Sequence, residues 1–167
     1  MAHTIINLTE IDAIIFDFDG VLTDNKVLLD ENGKEWVTCH RGDGLAFDVF
    51  RKLKLAVYIV STEKNPVVSA RGKKLQVPVL QGISNKVDAL SLLSKDIMLD
   101  LSRTLYVGND LNDLGAIKLC GYSACPADSH TKIKKIVSVV LKSDGGKGVA
   151  RELLENTLNV NIEEILY

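Results

Sequence analysis

An α/β fold, a Rossmann-like parallel sheet with helices on both faces, is predicted by two features of the sequence. Apolar runs of four to five residues alternate with longer segments of helical period, the pattern of strands joined by crossover helices. Turn and cap residues punctuate that alternation where elements should begin and end. The first strand is read at residues 13–16. The next segment breaks the βα rhythm: residues 26–30 and 35–39 alternate apolar with polar around Glu31-Asn32-Gly33, a hairpin signal, and should project as a small flap. A helix over 45–53 leads to a strand at 56–60. Asn65-Pro66 then supplies a cap and a first helical residue for a helix over 66–75. A short strand at 79–81, a helix over 86–94 and a strand at 105–107 follow. The next helix, 112–119, is stopped by Gly121, and beyond it come a strand at 122–124, a helix over 131–136, a strand at 137–141 and a helix over 149–157. No internal repeat, low-complexity tract or linker divides residues 1–167, so one domain is expected.

Composition narrows the function classes. Twenty basic and 22 acidic residues leave a formal charge of −2, too little to draw the protein to nucleic acid or anionic lipid, so a small-molecule partner is expected. The basic run Lys132, Lys134 and Lys135 reads as a solvated helix face. Cys39, Cys120 and Cys125 are odd in number and lack CxxC spacing, which argues against a disulfide framework or a zinc site and fits a reducing cytoplasm. No basic segment precedes an apolar run at the N-terminus, and no stretch approaches the ~20 apolar residues of a membrane span. A protein neither exported nor anchored is expected.

Chemistry concentrates after the strands. Asp17 and Asp19, in Asp17-Phe18-Asp19-Gly20-Val21-Leu22-Thr23-Asp24, directly follow the first strand, at the carboxyl edge where open α/β sheets bind ligands. A carboxylate there can attack a phosphoryl group to give an aspartyl phosphate that water hydrolyses, the role suited to Asp17. A second carboxylate two residues on can protonate the leaving alkoxide and later deprotonate the water, the role suited to Asp19. Two anions cannot approach a phosphate dianion unaided, so a hard cation, magnesium, is implied. Gly108-Asn109-Asp110-Leu111-Asn112-Asp113 follows another apolar strand at the same edge and supplies oxygen ligands for it. Ser61, after the strand 56–60, and Lys86, at the start of a helix, add the hydroxyl donor and positive charge that phosphoryl transfer requires. There is neither a GxxxxGK[ST] loop nor a GxGxxG turn after a strand, which counts against nucleotide binding.

Taken in order and spacing, Asp17 to Asp24, Ser61, Lys86 and Gly108 to Asp113 resemble the four motifs of haloacid dehalogenase-type phosphatases, across nearly the whole chain. The short hairpin, with no inserted cap domain, and the segment Ser143-Asp144-Gly145-Gly146-Lys147-Gly148-Val149-Ala150-Arg151-Glu152 resemble the capless branch acting on 3-deoxy-2-ulosonate phosphates. The resemblance implies magnesium bound by Asp17, the backbone carbonyl of Asp19 and a residue of the fourth motif. Where many relatives carry Gly-Asp-Asp this chain has Gly108-Asn109-Asp110, so either Asn109 or Asp110 is the third ligand; Asp113 would orient Lys86 or a metal-bound water. The resemblance also implies a homotetramer assembled through the hairpins. Around the substrate, His40, Arg41, Gly42 and Asp43 follow the hairpin, Thr62, Glu63 and Lys64 follow Ser61, and Arg71 lies in the next helix. Glu63 stands where relatives acting on the eight-carbon acid carry arginine, which points to nine-carbon substrates of the 3-deoxynonulosonate or sialate 9-phosphate type, with 3-deoxy-octulosonate 8-phosphate as the alternative. A non-catalytic assembly module, like the similar domain fused to animal CMP-sialate synthetases, is the rival of another class.

Overall fold

In the computed structural model, which describes residues 6–167, β1 (Ala13–Phe16) is followed by an antiparallel hairpin of β2 (Leu28–Leu29) and β3 (Glu35–Trp36). Then come α1 (Arg41–Lys52), β4 (Ala56–Val60), α2 (Val67–Leu75), β5 (Val79–Leu80), α3 (Lys86–Ile97), β6 (Thr104–Val107), α4 (Leu114–Leu119), β7 (Tyr122–Cys125), α5 (Thr131–Lys134), β8 (Val139–Val140), α6 (Val149–Glu152) and α7 (Ile162–Leu166). Six strands form one parallel sheet in the order β5-β4-β1-β6-β7-β8. This is the predicted α/β architecture, with the hairpin outside the sheet and no cap between elements.

The central strands are apolar throughout because both of their faces are covered. Successive side chains alternate between the two layers. Ile14 and Phe16 enter one core with Phe47 and Phe50 of α1, Val68 of α2 and Leu153 and Leu154 after α6. Ile15 and Tyr106 enter the other with Leu90 of α3, Ile117 of α4 and Ile133 of α5. In the first layer the Phe16 and Phe47 rings lie 5.3 Å apart, and Phe47 meets Phe50 edge-on at 5.9 Å.

Strand order sets the place of the site. From β1 the chain first adds β4 and β5 on one side, then crosses to build β6, β7 and β8 on the other. Phe16 is in register with Ile59 of β4 and Val107 of β6, so three strands end together at one edge. That edge is the topological switch point, where diverging connections leave a crevice.

Several boundaries differ from the sequence reading for local reasons. Helix α1 begins at Arg41 instead of residue 45, because the His40 side chain caps it, Nδ1 accepting from the Gly42 N–H at 3.2 Å. Hairpin pairing is confined to Leu28–Leu29 and Glu35–Trp36, with one further bridge between Thr23 and Cys39 at its base. The helix expected over 112–119 opens as a 3-10 turn, Leu111–Asp113, and that over 149–157 is α-helical only to Glu152 before a π-helical turn, Leu153–Thr157. Helix α7 was not anticipated; Asn161 caps it, and Lys52 Nζ donates to the carbonyls of Ile165 and Leu166 at its other end. Among the described residues no helix is long and apolar enough to cross a membrane, and the three cysteines are free thiols.

Candidate active site

Asp17 is the first residue beyond β1, and its N–H donates to the Val107 carbonyl at 2.8 Å, so the main-chain ladder fixes its position. Its Oδ1 accepts from the Phe18 N–H at 2.7 Å and lies 2.8 Å from Lys86 Nζ. Lys86, at the first position of α3, is buried, and its ammonium also lies 2.6 Å from Asp113 Oδ1. Asp113 is wholly buried and saturated with donors. Oδ1 takes Lys86 and the Tyr106 hydroxyl (2.7 Å), while Oδ2 takes the N–H groups of Asn109 (2.9 Å) and Asp110 (3.2 Å). One carboxylate thus holds both the lysine and the 108–110 loop.

Ser61 follows β4 at the same edge, with its N–H on the Leu80 carbonyl at 2.8 Å and its Oγ accepting from the Glu63 N–H at 3.1 Å. Beyond Asp19, Thr23 Oγ1 accepts from the Gly20 N–H at 3.2 Å. Gly20 has φ +77°, and a Cβ on it would lie 1.9 Å from Asn109 Nδ2, so only glycine lets the first loop meet the fourth-motif loop. Asn109 is buried, and its Oδ1 has no hydrogen-bond partner. Asp110 is exposed and turns Oδ1 back onto the Leu111 N–H. Asp17, Asp19, Asn25, Thr62, Asn109 and Asp110 line a cleft of about 330 Å³.

Of the remaining candidates, Thr62 alone lines this cleft. Glu63 Oε1 accepts from the N–H groups of Lys64 (2.6 Å) and Asn65 (2.8 Å), and the Lys64 side chain is exposed. Arg41 and Arg71 line a second cleft of about 250 Å³ with Lys74; Arg71 Nη2 donates to the His40 carbonyl, and its Nε is unpartnered. Asp43 is buried under α6, its Oδ1 accepting from the Arg151 N–H at 3.2 Å. Within one chain, then, His40, Arg41, Gly42, Asp43 and Arg71 are not brought to Asp17. Tyr106 was missed by sequence reasoning, although a tyrosine in an otherwise aliphatic buried strand needs a hydroxyl partner and so points to a buried polar site.

A sequence profile described as haloacid dehalogenase-like hydrolase matches residues 52–153. The chain belongs to this family. A curated relative, the 3-deoxy-D-manno-octulosonate 8-phosphate phosphatase of Haemophilus influenzae, is 33% identical over 152 residues, covering 90% of this chain and 84% of its own. A HAD-family hydrolase structure from Streptomyces avermitilis aligns with TM-score 0.92 and 40% identity over 97% of this chain and 93% of that one. A 3-deoxy-D-manno-octulosonate 8-phosphate phosphatase from Moraxella catarrhalis, solved with magnesium, phosphate and a KDO molecule, aligns with TM-score 0.83 and 26% identity over 94% of this chain and 86% of that one.

In this haloacid dehalogenase-like hydrolase, the electrostatics turn on burial. Burial and the nearby Asp113 charge push Asp17 up to about 7 against the pull of Lys86. For Lys86 burial acts downward, but the flanking Asp17 and Asp113 carboxylates outweigh it and raise the ammonium above its usual range. Burial, then the charge of Glu63, raises Asp19. A hard cation fits this donor set. Asp17 and Asp19 supply carboxylate oxygens to the cleft, and the orphaned Asn109 Oδ1 is a buried oxygen with no other partner, the kind of hard donor that such a cation takes.

The raised Asp17 has a consequence for stability. Between its unfolded value of about 4 and about 7, the native metal-free protein keeps a proton that the unfolded chain has lost. Stability therefore falls as pH rises through that window. Asp17→Asn removes the penalty: in metal-free thermal melts it should raise Tm by several degrees at pH 8 and by little at pH 5. An equal shift at both values would show that Asp17 is not raised.

Proposed function

We propose that this protein is a cytoplasmic magnesium-dependent phosphatase of 3-deoxy-2-ulosonate sugar-acid phosphates, working through an aspartyl phosphate on Asp17. The observation that carries the reading is the arrangement of Asp17. Its Oδ1 is held by Lys86 and the Phe18 N–H, which leaves Oδ2 without a protein donor among the described residues, in a residue that lines the cleft. Asp17 Oδ2 attacks phosphorus, and the bond to the sugar oxygen breaks as Asp19 protonates that oxygen. Asp19 then takes a proton from water, which attacks the same phosphorus and releases phosphate with Asp17 restored. Lys86 and the Ser61 hydroxyl face the charge on the transferred group. Asp17, the Asp19 carbonyl and Asn109 would hold magnesium, whose charge would offset the repulsion between carboxylate and phosphate dianion.

Asn109 is preferred to Asp110 as the third ligand because its Oδ1 is buried and orphaned, whereas Asp110 is exposed and capped on Leu111. A carboxylate at position 109 adds a charge that the amide lacks. Asn109→Asp should therefore tighten magnesium about tenfold in titrations of activity, and Asp110→Ala should leave magnesium dependence in place. The reverse pattern would make Asp110 the ligand.

Assembly as a homotetramer is supported by the hairpin, where Val27, Leu28, Leu29 and Trp36 are exposed together. Subunit contact would also cover a site that is open in the single chain, and a neighbour's surface would complete the pocket. The assembly-module alternative leaves unexplained why Asp17, Lys86 and Asp113 stay buried together, an arrangement costly to keep without chemistry.

For the sugar, Glu63 supports the nine-carbon acid phosphates. It places an anion near Asp19, which would repel a substrate carboxylate but can accept hydrogen bonds from additional hydroxyls. The names of the relatives favour the eight-carbon acid phosphate instead. Side-by-side kcat/KM decides: 3-deoxynonulosonate or sialate 9-phosphate should exceed 3-deoxy-octulosonate 8-phosphate, and Glu63→Arg should move the ratio toward the eight-carbon acid. About a tenfold preference for the eight-carbon acid in the unmodified enzyme would overturn the nine-carbon choice and leave the phosphatase reading standing.

A further inference from the structure

The loop Ser143-Asp144-Gly145-Gly146-Lys147-Gly148, between β8 and α6, does not line the Asp17 cleft, yet it packs directly against the backbone of the loop that carries Asp19. A Cβ on Gly145 would lie 2.3 Å from the Gly20 carbonyl oxygen and 3.0 Å from that of Thr23, so no side chain fits there. Beside it, the Gly146 N–H donates to the Val21 carbonyl at 3.0 Å. The loop is anchored from behind. Asp128 Oδ1 accepts from the Gly145 N–H at 2.9 Å, and the Glu152 carboxylate accepts from the N–H groups of Lys142 (2.8 Å) and Ser143 (2.6 Å). The Ser143 carbonyl takes the Ala127 N–H at 3.0 Å.

What this brace holds differs from what holds the nucleophile. Asp17 is fixed by the β1–β6 ladder and by Lys86, and the 143–148 loop contacts neither. Asp19 leads directly into the turn beyond it, where the Thr23 side chain accepts from the Gly20 N–H at 3.2 Å. Gly20 and Thr23 are the two residues whose carbonyls Gly145 abuts. A shift of this turn moves the acid while leaving the attacking carboxylate in place.

We propose that the 143–148 loop is a positioning element for the general acid, with Asp128 holding Gly145 and Gly145 seating the Gly20–Thr23 turn so that Asp19 reaches the leaving-group oxygen. The proposal rests on Asp19 being the acid of the phosphatase reading. Asp128 and Gly145 act through Asp19 and are positioning residues.

A misplaced acid penalises poor leaving groups selectively. A sugar alkoxide needs the proton of Asp19 as its bond to phosphorus breaks, whereas p-nitrophenolate departs as the anion without it. The measurement is kcat/KM for the preferred sugar-acid phosphate and for p-nitrophenyl phosphate at saturating magnesium, since kcat/KM reports the steps up to phosphoenzyme formation. In Gly145→Ala and Asp128→Ala the sugar-to-aryl ratio should fall about tenfold or more, a part of the roughly 10²–10⁴-fold that acid catalysis contributes. Asp128→Asn, which keeps an oxygen acceptor for the Gly145 N–H, should restore it. Asp128 is exposed, so its alanine variant tests the proposal even if Gly145→Ala does not fold. A ratio within twofold of the unmodified enzyme in Asp128→Ala, whether or not both rates decline in parallel, would overturn the proposal. Asp19→Asn separates the two claims: if it too leaves the ratio unchanged, the acid assignment fails, and if it lowers the ratio while Asp128→Ala does not, only the brace fails.

Discussion

A buried lysine held between two carboxylates is the interaction on which the rest of this structure depends. Lys86 Nζ lies 2.8 Å from Asp17 and 2.6 Å from Asp113, and all three side chains are almost entirely out of solvent. Taking such charges from water is expensive, and their mutual attraction offsets the cost only when further hydrogen bonds satisfy the remaining valences. Here they do: the Tyr106 hydroxyl and the N–H groups of Asn109 and Asp110 complete Asp113, and the Phe18 N–H supports Asp17. The same contacts tie the ends of β1 and β6 to the start of α3, so the electrostatic arrangement and the meeting of these elements are one constraint. Its residual cost falls on Asp17, whose pKa is pushed up by burial and by the Asp113 charge against the pull of Lys86.

Much of this was legible in the sequence because it is local. Continuous apolar runs mark strands covered on both faces, and an acidic cluster directly after such a run, as at Asp17 and again at Asn109 to Asp113, has to lie at the carboxyl edge of the sheet. Ser61 and Lys86 fall at the same edge for the same reason. The less legible features depend on partners distant in sequence. Asp43 reads as a candidate substrate contact, but its Oδ1 meets the Arg151 N–H, 108 positions away. The glycines at 145 and 146 carry no local sign of their partner, while in the fold they pack against the backbone of residues 20–24 after Asp19. The early start of α1 was hidden because Gly42 and Gly44 weaken helix propensity, which the His40 cap overrides.

The two loops of the site are held by different means. Asp17 directly follows β1, which is paired on both sides, with β4 and with β6. Asp19 lies two residues further on, more exposed to solvent, in a segment that Gly145 and Gly146 pack against. Arg41 and Arg71 line a cleft of their own, apart from the one that Asp17 and Asp19 line.

The central claim is that Asp17 is covalently phosphorylated during turnover. Enzyme quenched in the steady state with a sugar-acid phosphate and magnesium, then reduced with borohydride, converts an aspartyl phosphate to homoserine, which peptide mass spectrometry locates. The account predicts homoserine at position 17 alone, and none when magnesium is chelated before substrate is added. Reduction at position 19, or hydrolysis that proceeds with no reducible acyl phosphate at any residue, would contradict it.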